Sequence, residues 1–191
     1  MLVAEKVGVS RKGEGGFSLM ELLLALVVIM TLAAVAIPNL MRARMAANEA
    51  SAVASLRTVA NAMMEYQAAY PNIGFAVRLA NLGGRGVSPC TPTTSNACLI
   101  DDALAAGVKS GYEIAATGLA DVNSGINTAF QAGAAPISYN RTGAAAFCAT
   151  EDGSVRSDSN QSGKDTSGTS WATCHNWGNT GSSGGGSVVA R

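Results

Sequence analysis

Histidine, aromatic side chains and an excess of either charge are what this 191-residue chain has least of. One histidine leaves no material for a multi-histidine metal site and little for imidazole catalysis. Thirteen Lys and Arg against thirteen Asp and Glu give a formal net charge of +0, so the basic surface that nucleic-acid binding requires is missing. Aromatics are 5% of residues, too few to favour long-range electron conduction through stacked rings. No nucleophile elbow, P-loop or paired-histidine motif is present. Gly83-Gly84-Arg85-Gly86 lacks a following helix and reads as a turn, and His175 reads as a loop residue. An enzyme is not expected. Two further absences divide the chain. It has 22 Gly, yet none between Phe17 and Ile73, and all seven Met fall by Met64.

The glycine-free part carries the functional signal. A polar leader, residues 1–16, holds Lys6, Arg11 and Lys12 against Glu5 and Glu14. Residues 17–37 are then long and apolar enough to cross a bilayer as a helix, with the leader cations on the cytoplasmic side. Two plainer readings compete: a single-span anchor, and a secretory signal peptide cut after Ala34-Val35-Ala36. Glu21 argues against both, because a carboxylate near the start of an apolar run costs about 2.5–3.5 kcal/mol on insertion scales and is usually functional. The helical signal also continues past the membrane. Ala52, Leu56, Val59, Met63, Tyr66 and Tyr70 recur at 4-3-4-3-4 spacing, one stripe of a helix, while Ser51, Ser55, Thr58 and Glu65 occupy another side. Residues 17–70 would form one helix of about 80 Å, kinked or loosened at Pro38 and stopped at Pro71-Asn72.

Gly16-Phe17-Ser18-Leu19-Met20-Glu21, after a basic leader and before an apolar run, resembles the prepilin signature of type IV pilins and pseudopilins. The likeness extends from Gly16 to about Tyr70 and includes Pro38, at the position typical of type IVa pilins. It implies cleavage after Gly16 by a membrane prepilin peptidase, N-methylation of the new Phe17 amine, and storage in the inner membrane as a single-pass precursor. It further implies an assembly machinery that extracts subunits into a helical filament of copies of the same chain. Glu21 would then pair with the Phe17 amine, within the chain or on a neighbour, setting register.

From Pro71 the composition turns to Gly, Ser, Thr and Asn with short apolar runs. Residues 112–117 alternate as a half-buried strand, residues 136–141 and 144–150 read as two more, and Asp152-Gly153 is a turn leading into Ser154-Val155-Arg156. A short helix fits within residues 99–106, with Asp101 and Asp102 near its start. The expected fold is therefore α+β: a long helix, residues 17–70, on a small antiparallel head of three or four strands, residues 71–191. Cys90, Cys98, Cys148 and Cys174 form no C-x-x-C, and export makes disulfides the natural reading. Three pairings are open. Cys90–Cys98 with Cys148–Cys174 is the local choice, and the second resembles the bridge enclosing the C-terminal loop of many pilins.

Trp171 and Trp177 are expected to pack on that bridge, within a Ser/Gly-rich stretch, residues 157–187, that reads as a spacer. No cofactor is expected. Asp152, Asp158 and Asp165 could hold Ca²⁺, as the C-terminal loop of major pseudopilins does, but no EF-hand surrounds them and solvated loop acids are the simpler reading. Three functions follow in order: a type IVa-like pilin serving adhesion, twitching motility or DNA uptake; a periplasmic pseudopilin of type II secretion; and a secreted binding protein released after Ala36.

Overall fold

The glycine-free stretch forms a single helix, α1 (Leu19–Ala69), with Pro38 inside it. The computed structural model describes residues 16–86, 89–158, 174 and 186–189. Helix α1 starts two residues later than the apolar run, leaving Phe17 and Ser18 outside it. The chain divides into two compact units, one ending at Leu40 and the other beginning at Met41. The division falls inside α1, so the second unit takes in the helix from Met41 on.

In the head unit, the stripe meets its expectation: Ala52, Leu56, Val59, Met63 and Tyr66 are buried, and the partly buried Tyr70 packs against the same core. Ser55 does not follow expectation. It is buried beside Val53, Ala60 and Ala62, because small residues widen the buried arc without demanding more space. Tyr66 closes the arc by donating its hydroxyl to the Thr94 carbonyl at 2.7 Å.

That arc shares one hydrophobic core with a six-stranded antiparallel meander in sequential order. Its strands are β1 (Val108–Lys109), β2 (Tyr112–Ala120), β3 (Asn127–Pro136), β4 (Ala146–Thr150), β5 (Val155–Asp158) and β6 (Gly186–Val189). Register places Ile114 opposite Ala134 and Ala134 opposite Phe147, and sets Ala116, Ala132, Ala149 and Val155 in one row. All of these are buried. Mostly alanine fills these rows, with Phe130 against Phe75 at a ring separation of 4.9 Å.

Three expectations about the head need correction. Residues 136–141 are not a strand: Pro136 ends β3, and the chain then turns, with Asn140 at φ 58°. The strand lies earlier, over Asn127–Pro136. The short helix shrinks to α2 (Asp102–Ala105). Finally, the sheet has six strands rather than three or four, because β1 and β6 extend it at both edges.

Two disulfides staple the head, Cys90 to Cys98 and Cys148 to Cys174. Cys148 and Cys174 are both fully buried, and on the loop-entropy account a bridge of this span contributes roughly 3 kcal/mol. The expected packing of Trp171 and Trp177 lies outside the described residues.

Candidate processing and assembly site

Before the helix, backbone geometry is set by Ser18. Its carbonyl accepts the Glu21 N–H at 3.0 Å and the Leu22 N–H at 3.2 Å, which opens the first turn. Gly16 and Phe17 lie ahead of that turn, both exposed and neither helical. A Cβ placed on Gly16 would meet nothing within 4 Å. The peptide bond between them thus lies outside the helix, between two exposed residues. Glu21 sits exposed in the first turn, where unpaired backbone N–H groups and the helix dipole favour a carboxylate.

The surface that follows is apolar on all sides. Every large hydrophobic side chain from Phe17 to Met41 is at least half exposed, Phe17 by 76% and Leu24 by 69%. Leaving such a helix in water is unfavourable by tens of kcal/mol at roughly 2 kcal/mol per side chain. By length and composition this part of α1 can cross a membrane. Beyond Glu21 its two polar side chains each donate back to the helix. Thr31 donates to the Val28 carbonyl at 2.8 Å and Asn39 to the Val35 carbonyl at 3.3 Å. Pro38 has no N–H, so the Ala34 carbonyl loses its usual partner.

Polar contacts that sequence reading does not anticipate join α1 to the head's loops. Asn48 donates to the Thr142 carbonyl at 2.9 Å, Glu49 accepts the Ala144 N–H at 2.8 Å, and Ser51 donates to Ser110 Oγ at 2.9 Å. Their partners lie 59 to 95 residues away, so no local pattern could signal them. Asp102 is a further case. Its carboxylate accepts the N–H groups of Gly84 and Gly86 at 3.1 and 2.7 Å, organising the glycine-rich turn.

Of the suggested calcium acids, Asp152 and Asp158 fall within the described residues, Asp158 as the last residue of β5. Asp152 is engaged in the β4–β5 turn, accepting from the Ser154 N–H at 2.9 Å, the Ser154 and Thr150 hydroxyls, and the Arg156 guanidinium. Partial burial works against its charge, and these hydrogen bonds outweigh that penalty, holding its pKa down to about 2. A guanidinium already in place is a poor neighbour for a cation. Asp165 lies outside the described residues, and among those described no group of three or more His, Cys, Asp or Glu could hold a metal.

A pH dependence follows. With a folded pKa near 2 and an ordinary unfolded value near 3.9, Asp152 contributes stability that is full above about pH 4 and lost as pH falls through 2. Its side chain is 42% exposed, so solvent screening reduces the contribution to about 1 kcal/mol or less. Urea midpoints between pH 6 and 2 should therefore fall less steeply for Asp152→Asn than for the parent chain. Parallel curves would remove the turn from this role.

No protein-family model matches the chain, and no curated protein or solved structure matches it significantly.

Proposed function

We propose that this chain is the structural subunit of a type IV pilus-like filament. It waits in the inner membrane, is cut after Gly16, is N-methylated on Phe17 and polymerises through its apolar helix. The observation that carries this reading is one helix with two kinds of surface. Up to Met41 its large apolar side chains lie uncovered, and from Ala52 its apolar arc is the core of a disulfide-tied head. A folded head needs no such extension for its own stability. An uncovered apolar helix needs lipid before assembly or other helices after it, and a filament subunit uses both in turn. The exposed, non-helical Gly16–Phe17 bond supports processing at that point.

Mass spectrometry of the mature N-terminus tests the proposal. N-methyl-phenylalanine derived from Phe17 is the expected first residue. A chain beginning at Ile37 would defeat the proposal and favour a secreted protein. Surface-sheared material should also contain this chain in filaments. Confinement of the processed chain to the periplasm would favour the secretion piston instead.

A further inference from the structure

We infer that Arg42 and Arg44 bind the phosphates of anionic phospholipids at the membrane face opposite the leader, seating residues 22–40 in the hydrocarbon. The inference rests on the membrane-stored precursor proposed above and deepens it by fixing where the span lies and what holds it there.

Length comes first. Residues 17–37 would put Glu21 within the hydrocarbon and leave Leu40 and Met41 outside it. Residues 22–40 are 19 residues, about 28 Å of helix at 1.5 Å per residue, against roughly 30 Å of bilayer core. In that seating the span contains no charged side chain, and its two polar ones, Thr31 and Asn39, each donate to a carbonyl of their own helix. Glu21 moves to the boundary, where a carboxylate is hydrated and its insertion cost falls away. Gly16 and Phe17, ahead of the helix, then stand beyond that boundary, within reach of an enzyme working at the membrane surface.

Charge placement comes second. Arg42 and Arg44 follow directly after the apolar band, both exposed, and no ion pair engages either among the described residues. Two positions apart on a helix means about 200° of rotation, so the two guanidiniums leave α1 on nearly opposite sides. A protein partner packed on one side could engage only one of them. A headgroup layer surrounding the helix reaches both, and the long arginine stems let each charge rise to phosphate level. Guanidinium also matches phosphate geometry with paired hydrogen bonds.

The full chain, reconstituted head-outward in phosphatidylcholine vesicles, provides the test. Added protease should leave the leader and span protected, which tests the membrane reading by itself. Spin-labelled phosphatidylglycerol placed in the outer leaflet should then associate with the protein roughly threefold or more in preference to spin-labelled phosphatidylcholine at low salt. That preference should fall to about one in R42Q/R44Q, persist in R42K/R44K, and weaken in 1 M salt. Protection with an unchanged preference in R42Q/R44Q overturns the lipid role and leaves the membrane reading standing. Unchanged lipid preference together with lost self-association in R42Q/R44Q also overturns it, assigning the arginines to a second copy of the chain. Loss of protection in the parent chain overturns both.

Discussion

Glu21→Ala is expected to insert and be processed normally and yet to yield no filaments, the largest functional effect a single side chain here should have. Removing a carboxylate makes the start of the apolar helix cheaper to insert, so membrane storage gains if it changes at all. Before processing, Glu21 is exposed in the first turn, with its backbone N–H on the Ser18 carbonyl and no ion pair among the described residues. The proposed cleavage after Gly16 would create its counter-charge four residues earlier, at the Phe17 amine. In a helix-packed filament core both charges leave water, and such charges are tolerated only as a pair. Removing one partner costs about 3–5 kcal/mol, because the other stays buried and uncompensated. Per added subunit, that raises the concentration needed for growth by roughly a hundredfold or more. The measurement is filament yield in sheared fractions, alongside mass spectrometry showing the mature N-terminus. Parental filament yield from correctly processed Glu21→Ala would show that the carboxylate does not set register.

How far such reasoning can start from sequence depends on which interactions are local. Helix α1 was legible because its signals are: no glycine for more than fifty residues, and apolar side chains that return every three or four. The same holds for β2, whose residues alternate, for β4, a short and mostly apolar run, and for the turn at Asp152-Gly153. Strand β3 was not legible. Ala129, Ala132, Ala134 and Ala135 have no strand preference of their own, and Gly133 weakens a strand further. They are extended because β2 pairs with them along their length and β4 pairs with residues 131–134 from the other side. Strand β6 was hidden for a related reason: Gly186–Val189 closes a Ser/Gly-rich segment and exists as a strand through its pairing with β5. Residues 16–21 could be read as a motif because they are contiguous. The contacts of Asn48, Glu49 and Ser51 were not, because each partner is distant in sequence.

In the head, the change with the largest expected effect is the addition of a single methyl group at Gly143. A Cβ there would stand 1.9 Å from Tyr112 Oη and 2.6 Å from the ring carbon that carries it. Tyr112 cannot move aside. It is fully buried, sits in β2, lies 6.1 Å from the Phe147 ring, and donates its hydroxyl to the Ala145 carbonyl at 2.9 Å. Burial, and then the nearby Glu49 carboxylate, push its pKa up, so the phenol remains a protonated donor across the working pH range. Relief must come from the loop, and residues 138–144 are tied to α1 by Asn48 on the Thr142 carbonyl and Glu49 on the Ala144 N–H. Gly143→Ala should therefore cost about 3 kcal/mol or more, through overpacking joined to the loss of partly buried hydrogen bonds. Gly125→Ala is the matched control. Gly125 has φ +69° but open space around its Cβ position, so its cost is only the left-handed backbone penalty of about 1 kcal/mol. Urea unfolding of the full chain in detergent, followed by near-ultraviolet circular dichroism, distinguishes the two. Equal midpoints for the two variants would mean that the 138–144 loop yields freely, and that α1 does not hold it against Tyr112.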